Sequence, residues 1–296
     1  MFADNRHTRR LITCGIALLV LASPRALVAH PPVSVVITAD GRAYFSDLNN
    51  IWVLEPDGTF RIAVRGVHTH ELWLDEHGAL NGDDVQNEGD RYRFRTWRLL
   101  VDGNVESASE WRAGHPRNLG YSLTERAGSG RYWAIGSGGE VRLNDTTGQA
   151  FASITLGADP VAPSWVVATG SGALVVQGGR LLHVSPDGEA RTLADSLIER
   201  TPDFAWVHDR HGLMKPWTDR EGRIYVPVYA GQRVVRLSPD GSSPEVVVTS
   251  APGWSPVGGT FDAAGALLLL EWSRDNQPRL RRIDPSGAET IYGPPG

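Results

Sequence analysis

Residues 37–58, ITADGRAYFSDLNNIWVLEPDG, place two apolar runs, AYFS and IWVL, between turn-forming residues: Gly41 ahead of the first, Asp47 and Asn49 between them, and Pro-Asp-Gly after the second. Short aromatic and β-branched runs bounded by Asp, Asn, Gly and Pro form strands joined by tight turns. The phrase recurs in WLDEHGALNGDDV with YRFRTWRLLVDG, in LTERAGSGRYWAIGSGGEVRLNDTTG and in VVATGSGALVVQGGRLLHVSPDG. It returns twice more, as PWTDREGRIYVPVYAGQRVVRLSPDG and GTFDAAGALLLLEWSRDNQPRLRRIDPSG. First-turn glycines Gly41, Gly78, Gly130, Gly172, Gly222 and Gly265, and second-turn glycines Gly58, Gly103, Gly148, Gly188, Gly241 and Gly287, step by 37 to 53 residues. Four strands per unit at a period of about 45 define a propeller blade. The expected fold is therefore all-β, a six-bladed β-propeller with four-stranded blades. The first repeat opens with VSVVI and the last closes with ETIYG, so each blade is expected to be contiguous in sequence.

The N-terminal residues follow a different pattern. Arg6, Arg9 and Arg10 precede the apolar stretch LITCGIALLVLA, which is too short to span a bilayer and is followed by Pro24 and Ala29. This is the layout of a secretory signal peptide, giving an expected division into residues 1–29, the signal, and 30–296, a single propeller domain. Cleavage after Ala29 removes four arginines, Asp4 and the only cysteine, Cys14, and takes the formal charge from −5 to −8. A thiol-free, acidic chain with no basic run is unsuited to nucleic acid or an anionic membrane. The expected location is periplasmic or secreted, and the expected form a monomer acting on a small-molecule or peptide substrate.

The phrases AYFSDLNNIWVLEPDG and RIYVPVYAGQRVVRLSPDG resemble the NHL-type six-bladed propellers, a group that shades into the gluconolactonase and strictosidine-synthase-like families. The similarity covers nearly all of residues 33 to 293. Such propellers include both enzymes and binding scaffolds, so the resemblance speaks to fold more than to chemistry.

In a propeller the segment before each inner strand and the loop between second and third strands share one face. Ahead of the inner strands come His30, then His68 and His70, then His115, Arg117 and Asn118, and in blade five His208, Asp209, Arg210 and His211. Six of the eight histidines outside the signal thus fall on one face; His77 belongs to a turn at the other end and His183 to an outer strand. The second-to-third loops add Asp47, Asn49, Asn50, Asp83, Asp84, Gln86, Gln177, Tyr229, Gln232 and Glu271. On an extended segment His-X-His aims both rings the same way, so His68 and His70 act together, as two ligands or as one ligand and its partner. Three imidazoles around zinc would leave a position open for water or substrate.

RHGLMKPWTDREGRIYV further resembles the repeat of the peptidyl-hydroxyglycine amidating lyases, in which a histidine before Gly-Leu at the start of an inner strand ligates a catalytic zinc. That similarity implies His211 as a ligand, with His70 and His115 in comparable places of blades two and three. The gluconolactonase pattern matches only loosely, through Glu71 and Asp47. The expected site is then a divalent metal, zinc or alternatively calcium, on His70, His115 and His211, with His68 or His208 supporting those ligands or acting as general base and Arg117 orienting an anionic substrate. The expected activity is that of a lyase or hydrolase; the alternative is a non-catalytic NHL-type module binding a protein, peptide or glycan. Bland roles compete at several positions: Asp47 as a turn former, DDVQNEGDRYRFRTW as a solvated loop, Arg117 and Arg210 in salt bridges, and Trp217, Trp254 and Trp272 as core.

Overall fold

A computed structural model describes residues 31–294 except 89, 90, 101, 114–124, 128, 129, 137, 146, 148 and 157–160. The expected signal peptide lies outside the described residues. Among them, no helix is long and apolar enough to cross a membrane.

Among the described residues, twenty-five strands form six antiparallel sheets, each contiguous in sequence and ordered from the axis outward. Blade one holds β1 (Val35–Ile37), β2 (Ala43–Ser46), β3 (Asn50–Leu54) and β4 (Phe60–Arg65). Blade two holds β5 (Leu72–Leu74), β6 (Leu80–Glu88), β7 (Arg91–Leu99) and β8 (Val105–Ser107), with β9 (Arg112–Ala113) also pairing with β7. Blade three comprises β10 (Glu125–Ala127), β11 (Arg131–Ile135), β12 (Val141–Asn144) and β13 (Ala150–Ile154). Blade four comprises β14 (Pro163–Thr169), β15 (Gly172–Gln177), β16 (Arg180–Val184) and β17 (Ala190–Ala194). Blade five has β18 (Trp217–Thr218), β19 (Ile224–Val228), β20 (Arg233–Leu237) and β21 (Glu245–Thr249). Blade six has β22 (Trp254–Phe261), β23 (Leu267–Ser273), β24 (Pro278–Ile283) and β25 (Glu289–Tyr292). Among the described residues, the repeat glycines fall between the first two or the last two strands of their blades, except Gly172, which opens β15. Gly41 and Gly58, with φ of 85° and 88°, show why the turns demand glycine.

Strand alternation gives each blade two apolar faces, one for each neighbour. In ALLLLEW, Leu267 and Leu269 pack with Trp217, Tyr225 and Val234 of blade five, while Leu268 and Leu270 join the cluster containing Phe45 and Val35 of blade one. That is why this run is apolar without interruption. Tyr44, Ile51, Val53 and Val64 of blade one likewise meet Leu72, Leu80 and Trp97 of blade two.

Because every sheet is complete in itself, the ring closes by packing between blades six and one. The seam is tight at Gly258, where a Cβ would sit 1.9 Å from the Val33 carbonyl oxygen. Val33 in turn donates its amide to the His70 carbonyl at 3.2 Å, tying the seam to blade two.

One expectation fails. The insertion DDVQNEGDRYRFRTW is a long β-ribbon, β6 and β7 paired from Asn81↔Arg98 to Glu88↔Arg91, and no solvated loop. Asp83 and Asp84 lie inside β6 and are buried, not in the second-to-third connection.

Candidate functional site

The site is built around residues 68–71, which run beside β6 just ahead of β5. Where a regular ladder would offer carbonyl oxygens, two buried carboxylates do so. Asp83 Oδ1 accepts the amides of His70 at 2.9 Å and Glu71 at 3.0 Å, and Asp84 Oδ1 accepts that of His68 at 3.2 Å. Thr69 is fully buried between the histidines; its hydroxyl donates to the Asp83 carbonyl at 2.6 Å, and its own carbonyl accepts from Ser46 Oγ at 2.7 Å. Trp97 Nε1 donates to both Thr69 Oγ1 and the Asp83 carbonyl, each at 3.0 Å. Charge-assisted bonds to buried amides are strong, so this short segment is rigid.

Its product is a pair of imidazoles aimed at one point. His68 Nε2 and His70 Nε2 are 3.0 Å apart, the rings set nearly edge to face at 78°. The Leu48 carbonyl accepts a hydrogen bond from the His68 ring. Which of the two facing Nε2 atoms donates to the other is set by the tautomers of the pair. Burial lowers the His68 pKa, outweighing the Leu48 bond and the Asp84 charge, which raise it. Two nitrogens around zinc stand roughly 3.4 Å apart, so the pair fits two such positions after a shift of a few tenths of an ångström. Equally, the pair can share and pass one proton.

A consequence is measurable. Since the folded pKa of His68 is depressed, the unfolded chain takes up its proton first as pH falls below about 6.5, and the stability present above that pH is lost. In chelator-treated protein, urea denaturation between pH 7.5 and 5.5 is expected to show this decline, with a slope of up to about 1.4 kcal/mol per pH unit for one proton. His183, also lowered by burial, contributes in the same direction, so the difference between wild type and His68→Gln isolates His68. Identical pH profiles would refute a desolvated His68.

The other histidines are placed differently. Asp209–His211 is a single 3-10 turn ahead of β18, so His211 is not on the inner strand itself. His211 is half-buried; His208 is exposed, and its Nδ1 caps the turn by accepting the Arg210 amide at 3.2 Å. Ser164 Oγ donates to the Arg210 carbonyl at 2.7 Å and holds the turn against blade four, while Arg200 pairs with Asp209. His115 and Arg117 lie outside the described residues. Among the described residues, no three His, Asp, Glu or Cys side chains converge as a metal site. His68 and His70 are thus brought together, while the expected set of His70, His115 and His211 includes a residue outside the described ones.

Several loop residues serve structure. Asp47 closes its own turn, accepting the amides of Asn49 and Asn50 at 2.7 and 2.6 Å and Trp52 Nε1 at 2.7 Å. Glu271 is fully buried against Arg279 at 2.6 Å and Ser250 Oγ at 2.5 Å. Trp272 is core, Trp254 lies under the Arg279 guanidinium at 4.0 Å, and Trp217 is buried beside the axis. One residue on the face has no counterpart in the sequence reading: Trp206, 51% exposed, set edge to face with Tyr229 at 6.4 Å. Only its rarity as an exposed tryptophan marks it, and exposure is not written in the sequence.

No family model and no curated protein matches the chain. Solved structures do. The regucalcin of Agrobacterium tumefaciens, described as a calcium-binding protein, aligns at a TM-score of 0.55 with 17% identity over 83% of this chain and 84% of that one. A gluconolactonase of Xanthomonas campestris aligns at 0.53 with 17% identity over 89% and 87%. Virginiamycin B lyase of Staphylococcus aureus aligns at 0.53 with 13% identity over 89% and 84%. The likeness is one of fold. At these identities the chain shares the six-bladed ring with those proteins, and the chemistry must be argued from its own residues.

Proposed function

We propose that the protein is an exported propeller enzyme of lyase or hydrolase type, acting at the face that carries His68 and His70 with the help of a divalent metal. The observation that carries this reading is the 3.0 Å approach of two imidazole nitrogens whose backbone is fixed by buried carboxylates. A pair held so firmly is preorganised for a ligand or a proton. Nitrogen donors suit zinc better than calcium, which takes oxygen. His70 would hold the ion with His115 and His211, or with His68 as its neighbouring donor. When bound, zinc supplies a Lewis acid and an acidified water. His68, neutral through burial, accepts a proton at Nε2 when it is not itself a ligand. Arg117 orients an anionic substrate, and His208 is the alternative base. The lyase and gluconolactonase of like fold fit this class of chemistry without assigning it. A second reading, a non-catalytic module for a protein, peptide or glycan, draws on the exposed Trp206, an aromatic surface of the kind that binding faces use.

The test is the metal content of protein purified without an affinity tag. About one ion per chain is expected, falling severalfold in a His70→Ala, His211→Ala double variant. Substoichiometric metal in both samples would remove the metal-enzyme reading and favour the binding module.

A further inference from the structure

Among the described residues, six large hydrophobic side chains stand exposed. Five of them, Tyr92, Val105, Phe151, Val246 and Ile291, lie on third or fourth strands, toward the outer edge of their blades. Trp206 is the exception, for it sits in the connection from blade four to blade five, on the face that carries the histidines. Its position sets it apart, since a lone exposed apolar side chain is ordinary in itself.

The connection is fixed at both ends. Asp203 Oδ2 accepts the amide of Gly253, just ahead of blade six, at 2.9 Å, and Ser164 Oγ of blade four donates to the Arg210 carbonyl at 2.7 Å. Between them Phe204 and Val207 are buried. Trp206 Nε1 donates to the Asp203 carbonyl at 3.2 Å, with the Phe204 ring 6.2 Å away and the Tyr229 ring edge-on. The one polar atom of the indole is thus satisfied within the protein, and what the side chain offers to solvent is aromatic surface.

Two donors follow within four residues. His208 Nδ1 accepts the Arg210 amide at 3.2 Å, so the neutral ring carries its proton on Nε2, and the ring is exposed. Arg210, for which the sequence leaves open a salt bridge or a substrate carboxylate, is exposed and makes no ion pair with a described residue. The other arginines around it are matched: Arg200 with Asp209, Arg233 with Glu199 and Arg274 with Asp203.

We propose that residues 206–210 bind an acidic glycan, a hexuronate ring lying on the Trp206 indole with its carboxylate at the Arg210 guanidinium and an oxygen at His208 Nε2–H. The C–H groups on one face of a pyranose are weakly positive and meet the negative face of the indole. A guanidinium takes a carboxylate through two parallel N–H bonds. An open platform, 51% exposed, suits a sugar better than an aromatic acid or an apolar peptide side chain. Those ligands need enclosure to gain from burial, whereas a sugar keeps its other face and most of its hydroxyls in water. Because the connection is already held in place, little ordering is needed on binding. The assignment rests on the second reading above, to whose glycan it gives a chemical class, and it uses neither His68, His70 nor a metal.

Calorimetry on chelator-treated, desalted protein tests it with tetrasaccharides of galacturonate, of mannuronate and of hyaluronan, which alternates glucuronate with N-acetylglucosamine. The methyl esters of the same sugars and tetraglutamate run in parallel. At least one acidic tetrasaccharide is expected to bind saturably, with its ester and tetraglutamate at least about tenfold weaker. Trp206→Ala and Arg210→Gln, each checked for an unchanged thermal midpoint, are expected to weaken that binding by about tenfold or more. The proposal is overturned if none of the three sugars binds, if the ester or tetraglutamate matches them, or if either folded variant binds as well as wild type. Should a variant fail to fold, the comparison of acid, ester and peptide on the wild-type protein decides the matter alone. With metal removed beforehand, a failure here leaves the metal content that tests the enzyme reading untouched.

Discussion

Gly258→Ala is expected to destabilise the protein by about 4 kcal/mol or more, at the far end of what one methyl group does. Its Cβ would stand 1.9 Å from the Val33 carbonyl oxygen and 2.8 Å from the carbonyl carbon, both backbone atoms with no rotamer to change. Relief requires β22 and the segment before β1 to part, and these are the two sides of the ring's closure. Val257, next to the glycine, is fully buried, so the strand has nowhere to retreat. Because the Val33 amide is bonded to the His70 carbonyl, separation also pulls on the histidine segment. Gly170→Ala is the control: a Cβ there meets nothing within 4 Å, and the cost is expected to stay within about 0.5 kcal/mol. Urea denaturation of both variants measures the difference. A Gly258→Ala protein within about 1 kcal/mol of wild type would mean that the ring is not closed by this contact.

The second large effect is expected at Asp83. Alanine there strips the acceptor from two backbone amides, those of His70 and Glu71, in a place where Asp83 itself is only 5% exposed. Each orphaned buried donor costs about 1–3 kcal/mol, so Asp83→Ala should lose about 3 kcal/mol in denaturant melts. Asp83→Asn, whose carbonyl can accept both bonds, should lose clearly less. The histidine NMR signals supply the functional half of the test, since releasing residues 68–71 should separate the His68 and His70 rings and abolish their mutual pH dependence. An Asp83→Ala protein as stable as wild type, with unchanged histidine resonances, would show that the carboxylate does not hold the pair.

The blades were legible because tight turns between short strands need glycine at particular backbone angles, and that demand leaves a periodic mark. His68 and His70 were legible for a related reason: two-residue alternation aims side chains together, and the rings do meet. What hides is anything set by a partner distant in sequence. Asp83 and Asp84 belong to a run, DDVQNEGD, that reads as solvated because it is polar at nearly every position; their burial follows from the amides of residues 68–71 and from Arg95, which lies 3.1 Å from Asp84. His211 resembled a strand residue through the Gly-Leu that follows it, yet the Asp-Arg-His before it winds into a 3-10 turn capped by His208. Trp206 could not be told from a core tryptophan, since its exposure depends on where Phe204 and Tyr229 leave it.

That each blade is one uninterrupted stretch of chain also has a meaning in time. Within a blade each strand pairs with the one just made, β9 apart, so contacts within a blade are local and form fast, and blades can be completed in the order of synthesis. A growing propeller is then an open arc whose two end blades each show an apolar flank. Only the arrival of β22 beside Val33 converts the arc into a ring, which makes the last blade the slow, concentration-sensitive step: until it docks, the waiting flank of blade one is as available to another chain as to its own.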